Sequence, residues 1–133
     1  MQNADDERSI IAVLTRYATG IDKRDWPLLR SCFSDDFSGD YGDFGIWNSA
    51  GEITAFMEQA HANVGPTLHR LSNFAITVKG DMATSRTYVD ALLMPATPAD
   101  VVHQASGYYD DELARAADGW KITRRSFIMV RMI

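Results

Sequence analysis

From Thr67 onward the chain reads as a succession of long strand patterns separated by short breaks, and this half decides what the whole can fold into. Thr67 to Lys79 is the first pattern, and Gly80-Asp81 ends it in a turn. Met82 to Met94 alternates through Ala83, Ser85, Thr87, Val89 and Ala91. A loop from Pro95 to Asp100 leads to a third pattern, Val101 to Leu113. Ala117-Asp118-Gly119 then turns the chain into the last, Trp120 to Met132. Strands this long need a layer to cover their apolar face, and the only candidates lie upstream.

The upstream half supplies helices. Asp5 to Ile21 carries an amphipathic pattern capped by Asp5 or Asp6, with Gly20 loosening its last turn. A second, short helix starts at Asp25, with Pro27 in its first turn, and turns Trp26, Leu28, Leu29 and Phe33 inward. Asp36 to Phe44 is a short strand or loop broken by glycines. Ser49-Ala50-Gly51-Glu52 opens a third helix that ends near Gly65-Pro66. Helices first and strands after give an α+β fold, with a curved antiparallel sheet wrapped against the helices as a cone open at one end. With 133 residues and no repeat or composition break, residues 1–133 form a single domain with a sizeable core.

Charge and composition exclude several functions. The net charge of -5 offers no field for nucleic acid or anionic lipid. Arg124, Arg125 and Arg131 are the only basic grouping and are expected at a rim or an interface. No run approaches membrane-spanning length, and the acidic start Ala4-Asp5-Asp6 lacks the apolar core of a signal peptide, so a cytoplasmic protein is expected. The single cysteine, Cys32, rules out a disulfide framework and reads as a core residue. Asp35, Asp36, Asp40 and Asp43 lack calcium-loop spacing, and the three histidines are too dispersed for a zinc site, so no metal and no cofactor is expected.

One acid breaks the pattern. The first helix presents Ile11, Leu14 and Ala18 as a stripe, and the next position on it is Asp22. A carboxylate at the inner end of an apolar stripe is costly unless paired. His69, in Pro66-Thr67-Leu68-His69-Arg70, is the candidate partner, and an acid facing an imidazole in an apolar pocket is a general-base device. The residues alone leave other readings open. Asp22 can terminate the helix in solvent, and His69 can be a core histidine bonded to a carbonyl. His69 shares strand parity with Leu71, whereas Phe74, Ile76 and Val78 take the other parity. Either a bulge intervenes or both faces are partly buried, and Asn73 can face the pocket or bond a bulge. His61 is expected on a solvated helix face. His103 and Ser106, on the third strand, and Trp47, in the glycine-rich stretch, are candidates to line a pocket.

The segments Ile21-Asp22-Lys23-Arg24-Asp25-Trp26, Asp40-Tyr41, Pro66-Thr67-Leu68-His69 and Asp118-Gly119-x-Lys121 together resemble the NTF2-like (cystatin-like) superfamily, and within it the SnoaL-like branch. The enzyme families resembled are the scytalone dehydratases and the hexachlorocyclohexane dehydrochlorinases. The resemblance implies a conical α+β barrel with a deep pocket, and it matches Asp22 and His69 to a catalytic acid–imidazole pair. Tyr41 matches a substrate-binding tyrosine, while Ile21 stands where the dehydratases carry a second tyrosine. The implied activity is a cofactor-independent lyase that expels a small group from a hydrophobic cyclic or aromatic substrate. The alternatives are an isomerase or polyketide cyclase using the same base, or a non-catalytic small-molecule-binding module. The resemblance also implies a homo-oligomer, a trimer ahead of a dimer.

Overall fold

The computed structural model describes residues 2–97 and 101–133. Three helices come first: α1 (Gln2–Asp22), α2 (Trp26–Arg30) and α3 (Ala50–Ala60). Between the last two lie β1 (Phe33–Asp40), a 3-10 turn at Gly42–Phe44 and the two-residue β2 (Ile46–Trp47). Four long strands follow: β3 (Thr67–Lys79), β4 (Met82–Leu93), β5 (His103–Ala116) and β6 (Gly119–Met132). They form one sheet in the order β2-β1-β6-β5-β4-β3.

The α+β class and the antiparallel run from β3 to β6 match the sequence reading. Two features differ. The stretch Asp36 to Phe44, expected as strand or loop, is strand only as far as Asp40; the strand starts earlier, at Phe33, and pairs parallel to β6, so the sheet is mixed. The sheet also stays open, since β2 and β3 are its two ends. Residues 98–100 of the expected loop lie outside the described residues.

Local chemistry explains the helix ends. Asp25 caps α2 by accepting from the Leu28 N–H at 3.1 Å. Ser49 caps α3 through the Glu52 N–H at 3.0 Å, and the Glu52 carboxylate reaches back to the Asn48 N–H at 2.8 Å. Helix α3 stops at Ala60, well before Gly65-Pro66. Gly20 is where α2 crosses α1. A Cβ there would stand 2.9 Å from the Leu29 backbone nitrogen, so only glycine permits the approach.

The buried stripe of α1 runs through Ile10, Val13, Leu14, Tyr17, Ala18 and Ile21, with Ile11 at its margin. It lies against the inner face of the sheet, formed by residues such as Val89, Tyr109, Leu113, Trp120 and Ile122. The stripe is thus turned slightly from the one read in the sequence, and Asp22 falls on its edge beside β3. At the other end of α1, Asp6 takes a forked pair of bonds from Arg115 at 2.9 and 3.0 Å and a third from the Trp120 indole at 3.3 Å. The helix is fastened to the sheet at both ends.

The parity conflict in β3 has a simple resolution. Pairing with β4 slips between Ser72 and Ala75, and Asn73 sits there with φ 54. This bulge puts Thr67, His69 and Leu71 on the same face as Phe74, Ile76 and Val78.

Candidate active site

Strand β3 is an edge strand, so alternate N–H groups point away from the sheet with no ladder partner. Asp22, the last residue of α1, meets one of them. Its Oδ2 accepts from the His69 backbone N–H at 2.8 Å. Its Oδ1 accepts from the Thr67 hydroxyl at 2.9 Å and from His69 Nδ1 at 2.7 Å. A carboxylate only accepts, so Nδ1 of His69 carries the proton and Nε2 presents a lone pair. The imidazole and carboxylate side chains retain 9% and 20% of their exposure, so the contact is largely shielded from water.

Burial pushes the Asp22 carboxyl up, but the bonds from His69 and Thr67, with the charge that His69 carries when protonated, outweigh it and hold the group below its ordinary value. Arg24 completes the frame. It adopts φ 56 just past the helix and donates to the Thr67 hydroxyl, the Ile21 carbonyl and the Gly65 carbonyl at 2.7–2.9 Å. The carboxylate, the strand start and the helix end are therefore set by one connected group of bonds.

His69 forms part of the wall of a cavity of about 220 Å³ between the helices and the sheet. Ile21, Phe56, Met57, Val89, Leu93 and Phe127 make it mostly apolar. Asp22 stands behind the imidazole, outside this cavity. Three tyrosines supply further polar groups: Tyr17, Tyr41 and Tyr109. The hydroxyls of Tyr17 and Tyr41 are hydrogen-bonded at 2.9 Å. Burial raises the pKa of all three phenols, so they remain neutral donors. Beneath them lies Arg125, 1% exposed. Its guanidinium is 4.2 Å from the Tyr17 ring centre and 3.8 Å from that of Tyr109. Asp111 grips it with two bonds of 2.7 and 2.9 Å.

The structure brings together Asp22, His69 and Tyr41 from the sequence reading, the first behind the cavity and the other two in its wall. It separates the rest. Trp47 packs on Tyr41 and Phe56 from outside the cavity, with ring centres 5.2 and 4.4 Å apart. Ser106 has the parity opposite to the cavity residues Ala105 and Tyr109, and bonds Asp90 on the outer face at 2.7 Å. His103 begins β5 in an exposed position, where its Nδ1 meets the Ile133 carbonyl at 3.0 Å. Neither Ser106 nor His103 lines the cavity.

Three features escaped the sequence. Arg125 is buried rather than on a rim, because the β5–β6 register shifts between Glu112 and Leu113 and turns residue 125 inward. Tyr17 was legible in principle, being one turn before Ile21 on the buried stripe. His61, expected in solvent, caps α3 and lines the cavity instead. Among the described residues no cluster of three or more His, Cys, Asp or Glu side chains is placed to hold a metal ion, and Asp35, Asp36, Asp40 and Asp43 are exposed. No described helix is long and apolar enough to cross a membrane.

Helices laid into an open curved sheet, over an apolar cavity that ends on an imidazole, make a shape that encloses a small apolar molecule. The chain belongs to the SnoaL-like domain family, which it matches over residues 2–126. It is 32% identical over 121 residues to Rv2910c, an uncharacterized protein of Mycobacterium tuberculosis, across 90% of this chain and 82% of that one. A candidate scytalone dehydratase from Novosphingobium aromaticivorans superposes with a TM-score of 0.91 at 20% identity, covering 98% of this chain and 88% of that one. The hexachlorocyclohexane dehydrochlorinase LinA-type3 from Novosphingobium barchaimii superposes with a TM-score of 0.84 at 18% identity, covering 98% and 90%. At such identities the shared property is the fold.

Proposed function

We propose that the protein is a cofactor-independent lyase in which Asp22 and His69 act as a catalytic pair. The observation that carries this reading is the 2.7 Å contact between Asp22 Oδ1 and His69 Nδ1, with the imidazole in the wall of an apolar cavity. Nε2 of His69 takes a proton from a substrate carbon. The C–H electron pair becomes the new double bond, and the leaving group departs with its own bonding pair. Asp22 holds the tautomer and stabilises the imidazolium. When the leaving group is hydroxide, the imidazolium returns the proton and water is released.

The cavity size favours a hydrophobic cyclic or aromatic substrate of one or two rings, with water or halide expelled. Loss of an aldehyde fragment would instead have His69 take the proton of a β-hydroxyl, its O–H pair forming the C=O while the C–C pair stays on the remaining fragment as an enolate. Tyr17 and Tyr41 support a second reading. Neutral hydroxyls facing a substrate carbonyl stabilise an enolate, so a ketone without a leaving group would be isomerised or cyclised by the same base. A homotrimer in the cytoplasm completes the proposal. The exposed apolar residues Met129, Val130, Met132 and Ile133 along the end of β6 support self-association, to be read by light scattering on the eluted protein.

The test is proton exchange at carbon. The protein is incubated with 2-tetralone in deuterium oxide, and loss of the α-proton signal is followed by NMR. The expected result is exchange above buffer that falls about 10²–10⁴-fold in His69→Ala, the usual worth of general-base help. Unchanged exchange in His69→Ala would remove the imidazole from the reaction.

A further inference from the structure

The base in the cavity wall is not the only imidazole there. His61 closes α3, and its Nδ1 stands 2.8 Å from the Met57 carbonyl. A carbonyl can only accept, so Nδ1 carries the proton and Nε2 holds the lone pair. The same carbonyl also accepts the His61 backbone N–H at 3.1 Å, and the side-chain bond uses one ring nitrogen only. Among the described residues nothing in the chain hydrogen-bonds Nε2. The ring rests against Trp26, with centres 6.1 Å apart, and forms part of the cavity wall with Met57, Val64 and His69.

The two imidazoles are arranged alike and differ in one respect. The Nδ1 proton of His69 is held by a carboxylate, which stabilises the ring when it takes up a proton. That of His61 is held by a neutral carbonyl. Burial disfavours a charge on His61 and outweighs the bond to the Met57 carbonyl, which favours it; the nearby Arg24 and His69 add to the burial, and Asp22 opposes it. His61 is therefore suited to accept a hydrogen bond and keep it, while His69 is suited to accept a proton.

We infer that His61 Nε2 is a specificity-determining acceptor for a hydroxyl group borne by the ring of an otherwise apolar substrate. This deepens the lyase proposal by giving its substrate class, a cyclic alcohol or phenol. An apolar wall cannot tell a hydroxyl from a methyl group by shape, whereas a fixed acceptor can.

The experiment uses a matched pair, 2-naphthol and 2-methylnaphthalene, and reads binding without turnover. Calorimetry on the wild type is expected to show about a tenfold preference for 2-naphthol, the worth of one net hydrogen bond. His61→Phe, which keeps a ring, is expected to abolish the preference, while His69→Phe retains it. Should His61→Phe fold poorly, ¹⁵N-histidine NMR on the wild type gives the same answer. The His61 Nε2 resonance moves to lower frequency with 2-naphthol and stays in place with 2-methylnaphthalene. Equal affinity for the two probes, no binding of either, a preference that survives in His61→Phe, or a preference lost only in His69→Phe overturns the inference. The lyase proposal fails separately, through carbon exchange that is indifferent to His69.

Discussion

The Thr67 hydroxyl stands between two charges, accepting from Arg24 Nη1 and donating to Asp22 Oδ1, each at 2.9 Å. It is 2% exposed, so neither bond can be handed to solvent. Thr67→Val keeps the shape of the side chain and leaves Asp22 one donor short. A buried acceptor deprived of a partner costs about 1–3 kcal/mol. Urea unfolding is expected to show that loss, with His69 still bonded to the carboxylate. A stability equal to wild type would mean that Thr67 does not hold Asp22.

Arg125 and Asp111 form a fully buried pair, with Tyr17 and Tyr109 against the guanidinium. Nη1 of Arg125 and the hydroxyls of Ser85 and Thr87 have no hydrogen-bond partner there, so the site is not fully satisfied. Removing one charge strands the other, and Arg125→Met is expected to cost about 3–5 kcal/mol. The double variant Arg125→Met/Asp111→Leu is expected to recover most of that loss, because it strands nothing. Chemical denaturation of both variants checks the contrast, and a double variant weaker than the single one refutes it.

Acid should weaken the fold in two stages, and the sign follows from proton binding. Burial is the main reason that the His61 pKa is lowered, outweighing the bond to the Met57 carbonyl, which raises it; Arg24 and His69 add to the burial and Asp22 opposes it. The unfolded chain therefore takes up this proton first, and stability drops as the pH falls below the ordinary imidazole value of about 6.5. His61→Phe is expected to remove that share of the slope. Asp6 and Asp22 are also lowered, Asp6 chiefly by its bonds from Arg115 and Asp22 by bonds that outweigh its burial. Their contribution is complete above the unfolded carboxyl value and is lost as the pH falls through the folded one. Urea midpoints measured from pH 7 to pH 3 should fall throughout, and Asp6→Asn should shallow the part below pH 4.

Cys32 is expected to be inert. Its side chain is fully buried, and burial pushes the thiol up to about 11. A thiol reagent at pH 8 should label the native protein only as fast as it unfolds, and the denatured protein at once. Rapid labelling of native protein would contradict the packing around α2.

The parts of the site that follow from local pattern were legible beforehand. Asp22 stood out because an acid interrupted a helical stripe, whereas its pairing with His69 rested on the resemblance of Pro66-Thr67-Leu68-His69 to the SnoaL-like pattern, since the residues alone left other readings open. The strands of the second half were legible because their alternation is long and their turns are short. What escaped depends on register. Ser106 and His103 were assigned to the cavity without a parity origin for β5, and one step of register exchanges the faces of a strand. Arg125 points inward only because of a slip between paired strands, which leaves no mark in composition. The parallel pairing of β1 to β6 is likewise a long-range choice, joining segments about ninety residues apart. His61 was misread because the helix ends at Ala60, and the first residue past a helix is not bound to the face that periodicity assigns it.

The irregularity at Asn73 has a consequence for how such a chain can change. Upstream of it, β3 carries the imidazole and the hydroxyl that serve Asp22; downstream it carries only packing residues. Because the two halves differ in phase by one residue, loss of Asn73 would rotate one half out of line with the other. A single deletion there would turn Thr67 and His69 away from Asp22 while the packing face beyond the slip kept its place.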